Sequence, residues 1–176
     1  MKNKPLPNPY PLSLHSSGLY VFETDNKLIY SCGFNNVTSI LSPVIGVYDL
    51  EVYDFEFDNY NPTGITIVGG KFDDRVSDTI QHLIRQFFTE QNRVLIYACD
   101  NGDGRAKQRQ TLFRQWHHNL DDVINQEDVV VNLETPENLI QAYGCVLTRK
   151  DFEYKDIINR ELIDKAGEII VEKFNP

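Results

Sequence analysis

The chain has 176 residues, a formal net charge of −9 and a pI near 4.8, and 41% of its residues are hydrophobic. This length and composition are typical of one globular domain that buries its own core without disulfide staples. The acidic charge makes nucleic acid and anionic membrane surfaces unfavourable partners overall, although it leaves room for a local basic patch. No run approaches the roughly 20 apolar residues of a membrane-spanning helix.

Three cysteines, Cys32, Cys99 and Cys145, are widely spaced and form no Cys-x-x-Cys pair. This pattern predicts small buried thiols in a reducing compartment. Residues 1–17 contain four alternating prolines and no apolar segment of a signal peptide. We therefore expect a proline-rich N-terminal arm over residues 1–17, a single domain over residues 18–176, and a cytoplasmic location.

Strand signals dominate the first part of the domain. Residues 19–24 and 28–34 flank Asp25 and Asn26, which is typical of a β-hairpin. In residues 47–57 the apolar positions change parity, so that one strand could not bury both sets in a single core. We therefore predict a bulge or a break near Val52 and Tyr53. The acids of this run predict a solvated sheet face: Asp49, Glu51, Asp54 and Glu56.

Helical periodicity begins at Asp73 or Asp74 and continues to Phe88, after a possible short strand over residues 65–68. A buried strand over residues 94–99 is followed by a loop and a helix to about His118. Residues 121–127 are typical of a loop or a short turn, residues 129–131 of a brief strand, and residues 143–148 of a buried strand. Helical spacing returns from residue 151 onward.

This order predicts the fold class. It indicates an α+β domain with a single mixed sheet, an antiparallel hairpin or meander at its N-terminal side, and later strands that alternate with helices. About three helices should pack mainly on one face of the sheet.

The loop that follows Cys99 is the strongest candidate site. Asp100 would lie at the carboxyl end of a central strand, where open sheets present groups to ligands. Gly102 and Gly104 permit left-handed backbone and a close approach of a ligand to the main chain. The next helix should begin near Asp103, and the amide donors of its first turn can bind an anion.

That helix carries a basic and aromatic face. Arg105, Arg109, Phe113 and Trp116 are spaced by four, four and three residues, so they share one side. Residues 99–118 contain two acids and four bases, a formal charge of +2, which leaves −11 on the rest of the chain. The sequence therefore predicts a locally basic surface on an acidic protein.

Two interpretations of this block stay open. In one, Arg105 and Arg109 pair with Asp100 and Asp103 as a structural helix cap. In the other, the arginines clamp a phosphate, nucleotide or carboxylate, and Asp100 is a metal ligand or a base. The glycines match neither phosphate-loop fingerprint. The candidate ligand-binding residues are Asp100, Asp103, Gly104, Arg105, Arg109 and Trp116.

His117 and His118 end the helix. Adjacent helical positions point in different directions, so these histidines are poor joint ligands and favour compensation of the helix dipole instead. We expect no metal site, and the sequence assigns neither catalytic residues nor a cofactor.

The central block resembles a family of small bacterial proteins that is a domain of unknown function. The resemblance rests on Tyr97-x-Cys99-Asp100-x-x-Asp103-Gly104-Arg105-x-x-x-Arg109-x-x-x-Phe113-x-x-Trp116 and extends loosely over residues 18–174. In that family an Asn-Pro pair tends to precede the final helix, whereas this chain has Lys150, Asp151 and Phe152. The resemblance implies a shared fold and the same central residues, and it brings no activity.

We expect a non-catalytic binding or interaction module that presents residues 99–118 to a small anionic ligand or a protein partner. The alternative is a small metal-assisted enzyme for a phosphorylated substrate or nucleic acid, with Asp100 and Asp103 at a divalent cation. A lesser alternative is an acidic surface over residues 49–58 that mimics nucleic acid.

Overall fold

The computed structural model describes residues 8–40, 49–59, 73–90, 92–99, 104–134 and 139–153. Within these ranges it contains seven strands and two α-helices. The strands are β1 (Ser13–Leu14), β2 (Tyr20–Glu23), β3 (Ile29–Asn36), β4 (Glu51–Asn59), β5 (Arg93–Cys99), β6 (Ile124–Glu134) and β7 (Leu139–Arg149). The helices are α1 (Asp74–Phe87) and α2 (Ala106–His117), and short 3-10 turns cover Thr38–Ile40 and His118–Leu120.

The strands form one mixed sheet in the order β1-β2-β3-β4-β5-β7-β6. Neighbours pair antiparallel except β4 and β5, which are parallel and joined through α1. This arrangement confirms the α+β class, the mixed sheet and the N-terminal antiparallel hairpin. The predicted strand over residues 65–68 falls outside the described residues. About three helices were predicted and two are described: the third, predicted from residue 151 onward, is absent at residues 151–153, and the rest of it falls outside the described residues.

Both described helices pack on the same face of the sheet. On β5, Leu95, Tyr97 and Cys99 join the core beneath the helices, whereas Val94 and Ile96 belong to a second core on the opposite face. Both sets are almost completely buried, so the centre of the sheet is covered on both faces. Neither helix is long and apolar enough to cross a membrane.

The predicted bulge in the acidic strand was wrong. The register of β4 runs without interruption from Tyr53 to Asn59 against β3 and from Glu51 to Asp54 against β5. Val52 packs in the second core and Phe55 packs under the helices, so one regular strand buries both sets in two different cores. The predicted solvated acidic face was wrong: Glu51 and Glu56 are exposed but lie on opposite faces of the strand, and Asp54 is buried.

The loop predicted over residues 121–127 was also wrong in its second half. β6 begins at Ile124 and pairs with β7 over eleven residues, from Ile124↔Arg149 to Glu134↔Leu139. Polar residues at 125–128 concealed this strand, because an edge strand has few apolar positions to reveal it. The last two strands therefore form a long hairpin and do not alternate with a helix.

Residues 8–14 of the N-terminal arm lie against the domain. Tyr10 is 4% exposed, and its hydroxyl donates a hydrogen bond to Asp73 Oδ2 at 2.6 Å. The Arg75 guanidinium lies 3.9 Å from the centre of the Tyr10 ring and pairs with Asp25 at 2.9 Å. Asp73 also caps α1 by accepting from the Arg75 backbone amide, which confirms the predicted acidic start of that helix.

Candidate functional site

The candidate residues that the structure describes are Gly104, Arg105, Arg109 and Trp116, at the start of α2 and along it. Asp100 and Asp103 lie outside the described residues. Gly104 has a φ of +73°, so the predicted left-handed geometry is confirmed there. α2 begins at Ala106, three residues after the predicted start near Asp103. Its N-cap residue is Arg105, which makes no side-chain capping bond.

The predicted face of α2 runs from solvent into the core. Arg105 is exposed, Arg109 and Phe113 are half-buried, and Trp116 is 5% exposed. The Trp116 ring packs edge-on against Phe113 and Phe57, with ring centres 5.1 and 6.2 Å apart. Trp116 therefore packs the C-terminal half of α2 on the sheet, whereas Arg105 and Arg109 lie at its N-terminal end.

Arg109 lies close enough to Cys99 to influence its ionisation. Burial raises the pKa of the Cys99 thiol to about 12, and the Arg109 charge offsets this only in part. Cys99 is therefore a thiol at neutral pH, which is unsuitable for a nucleophile.

The outer surface of α2 is basic. Its sequence contains no acid, and Arg105, Lys107 and Arg114 are exposed. Among the described residues Lys107 has no ion-pair partner. Other described cations are engaged by acids or carbonyls: Lys27 by Glu23, Arg75 by Asp25, Arg85 by Asp122, Arg93 by Glu51, Arg114 by Asp128, Arg149 by Asp151, and Lys150 by the Asp121 carbonyl.

The two histidines at the end of α2 differ in environment. His117 is 2% exposed; its Nδ1 lies 3.2 Å from Gln126 Oε1, and its ring packs on Tyr97 at 5.6 Å. Burial lowers the pKa of His117 to about 4, so the ring is neutral at pH 7. His118 is exposed and lies 2.6 Å from Asp121, which confirms that the pair points in different directions. The neutral His117 therefore adds no positive charge at the C-terminus of the helix.

A groove of about 920 Å³ separates the C-terminal half of α2 from β6. Its two cations are engaged within the groove: Arg114 pairs with Asp128 at 3.2 Å, and Lys150 donates to the Asp121 carbonyl at 2.6 Å. In the part of the chain described, no three His, Cys, Asp or Glu side chains are grouped as metal ligands would be.

Two site features were missed from the sequence. Lys107 and Arg114, seven residues apart, share the side of α2 that faces β6, but the length of β6 was not recognised. Gln110 lies on the same side and donates to the Gly144 carbonyl at 2.9 Å, which ties α2 to β7. The spacing of three and four residues between these positions was the available signal.

Comparisons with known proteins place the chain in a family. No curated protein and no solved structure matches it. The model of a family of unknown function (DUF6169) matches residues 72–161, about half of the chain, and this range includes α1, β5, α2, β6 and β7. The expected resemblance to a domain of unknown function is thereby confirmed. The chain belongs to this family of unknown function, DUF6169.

Proposed function

We propose that the protein is a non-catalytic binding module that presents the start of α2 to an anionic ligand or to an acidic segment of a protein partner. The proposed ligand-binding residues are Arg105, Lys107 and Arg109, with the Gly104 backbone beside them. Trp116 holds the helix in place from the core. Asp100 and Asp103 are also proposed to bind the ligand, and this part of the proposal rests on the sequence alone.

The observation that carries the proposal is the exposed ammonium of Lys107 in the first turn of α2. Other surface cations have an acid or a carbonyl at hand, but Lys107 has no ion-pair partner among the described residues. Arg105 and Arg109 are each two residues from Lys107, so they lie on the opposite side of the helix. The three cations surround the start of α2 with positive charge, which is the charge that an anion needs.

The position of these cations opposes the stability of the helix itself. The N-terminus of a helix carries a partial positive charge, so a cation there costs roughly 0.3–1 kcal/mol. α1 follows the favourable pattern, with Asp73 as its cap and Asp74 in its first turn. A residue pattern that works against local stability is typical of a functional site.

The chemistry of the group suits carboxylates and phosphates. A guanidinium offers two parallel donors to either group, and the amides at the start of a helix add further donors. The positive φ of Gly104 carries no side-chain penalty, and a Cβ at that position would meet no atom within 4 Å. A ligand could therefore approach the main chain directly.

The proposal is tested by titrating the protein with inorganic phosphate, a panel of nucleotides and poly-L-glutamate in a calorimeter. Arg105→Gln, Lys107→Gln and Arg109→Gln should each weaken binding of the responsive probe roughly ten-fold, because each removes a charge-assisted contact. Lys107→Gln should at the same time leave the free energy of unfolding unchanged or slightly higher, since it relieves repulsion with the helix dipole.

Lys27→Gln is the matched control. It removes the same formal charge from an 82% exposed side chain that pairs only with neighbouring Glu23, so the affinity should not change. Unchanged affinity in all three α2 variants, accompanied only by lower melting temperatures, would assign these residues a structural role and refute the proposal.

The alternative is a metal-assisted enzyme that uses Asp100 and Asp103. Thermal shift with Mg²⁺, Mn²⁺ and the same nucleotides separates the two. A stabilisation that needs cation and nucleotide together, and that is lost in Asp100→Asn, would favour the enzyme.

A further inference from the structure

β6 lies at one end of the sheet and pairs with β7 on one side only, with no described strand on its other side. Its eleven residues contrast with the two residues of β1 at the opposite end. Long open edges favour pairing with another strand, and proteins usually protect them with prolines, charges or bulges. Residues 129–133 of β6 contain neither proline nor charge.

The backbone of β6 presents alternate residues to the open side. Lys150 N–H donates to the Val123 carbonyl at 2.8 Å, so the odd-numbered residues that follow direct their amides and carbonyls toward β7. The even-numbered residues, Val130 among them, direct theirs outward. An added strand would therefore be bonded through the even positions.

Val130 is an exposed apolar side chain on this open edge. It is 51% exposed, and in the described part of the chain only Leu14 is a more exposed large hydrophobic residue. Val129 packs in the core on the face opposite α2, so Val130 projects on the α2 side of the sheet. An apolar side chain at the centre of an open edge is stabilised when a partner covers it.

The sequence of β6 is complementary to itself. Axes at Val129 and Val130 both avoid like charges, but an axis at Val129 sets Val130 opposite Asp128 and Val131 opposite Glu127, so the axis at Val130 suits the apolar centre better. An antiparallel pair with its two-fold axis at Val130 places Val129 opposite Val131, Asp128 opposite Asn132, and Glu127 opposite Leu133. Valine thus meets valine at the centre, and no two charges of like sign face each other. Moving the axis to Val131 would set Asp128 opposite Glu134, and moving it to Asp128 would set that residue against its own copy.

We propose that β6 binds a second copy of the chain, edge to edge, in a symmetric dimer centred on Val130. The two sheets become one sheet of fourteen described strands, and both α2 helices lie on the same face. They are separated by at least three strand spacings, roughly 14 Å. Lys107 and Arg114 of each copy flank the resulting groove, whose floor is the pair of Val130 side chains.

Sedimentation equilibrium of the wild-type chain tests the dimer directly. The expected result is a dimer, and Val130→Lys should weaken it by roughly 100-fold or more, because two ammonium groups would face each other across the axis. The wild type would overturn the proposal if it were monomeric at high concentration.

Leu14→Lys is the matched control, because it adds the same charge at a 67% exposed residue of the other edge strand. This variant should remain dimeric. Loss of the dimer in Leu14→Lys with retention in Val130→Lys would place the contact at β1 and overturn the proposal.

A second readout uses cysteine cross-linking. Cys32, Cys99 and Cys145 are all buried, so a short bis-maleimide reacts selectively at an introduced surface thiol. Val130→Cys should give a covalent dimer and Leu14→Cys should not. Equal cross-linking of the two variants would contradict a contact centred on Val130. This test measures proximity and the calorimetric titration measures anion binding, so either proposal can fail without the other.

Discussion

His117 is kept neutral by its surroundings at the end of α2. Its ordinary pKa of 6.5 applies to the unfolded chain, and burial lowers the folded pKa to about 4 despite the opposing effects of Gln126 and nearby Asp128. Above pH 6.5 the ring is neutral in both states. Between pH 6.5 and pH 4 only the unfolded chain binds the proton, so stability is lost as the pH falls.

We predict that this proton removes stability on the order of 3 kcal/mol between pH 7 and pH 4. The measurement is the free energy of unfolding in urea at both pH values, for the wild type and for His117→Gln. The variant should lose less stability on acidification than the wild type. His118→Gln, a change at the exposed neighbour, should keep the wild-type dependence, and equal pH dependence in all three proteins would refute the assignment.

At the scale of single residues, properties that belong to the residue itself could be predicted from the sequence, whereas the burial of a residue and its contacts could not. Gly104 was predicted from its freedom at positive φ, which is a property of the residue alone. The burial of His117 depends on Tyr97 and Gln126, which come from two strands far apart in the chain. Local spacing carries no information about such partners.

α2 is held to the sheet by a polar contact as well as by Trp116. Gln110 is buried, and its amide donates to the Gly144 carbonyl at 2.9 Å. We predict that Gln110→Ala lowers the free energy of unfolding by about 1–3 kcal/mol, because a buried carbonyl loses its donor. Gln108→Ala, at an exposed position two residues earlier in the same helix, should change it by less than about 0.5 kcal/mol. Urea unfolding of both variants checks this, and equal effects would contradict the anchor.

At the scale of elements, hydrophobic periodicity was reliable where one face alone is buried. α1 shows this best, since its apolar periodicity and its start at Asp73 or Asp74 were both predicted. Hydrophobic periodicity gave a wrong prediction at β4. The sheet there is covered on both faces, so the side chains at both odd and even positions of the strand pack in a core. It also missed most of β6, whose exposed edge position leaves polar residues where an inner strand would be apolar.

At the scale of the whole molecule, the fold class followed from the order of elements. Strands come first and helices later, which predicted a mixed sheet with an antiparallel beginning. The parallel pairing of β4 with β5 and the final hairpin depend on long-range contacts that no local signal records. The rest of the chain carries a net formal charge of −11, whereas residues 99–118 carry +2, so charge distinguishes the surface around α2.

Amide chemical-shift mapping of the isotope-labelled protein during titration with poly-L-glutamate and with inorganic phosphate tests the binding surface most directly. The account predicts saturable shifts that are largest in residues 104–114, at the start of α2, and that disappear in Lys107→Gln combined with Arg105→Gln. Shifts that are largest elsewhere, or no saturable shift with either probe, would contradict it.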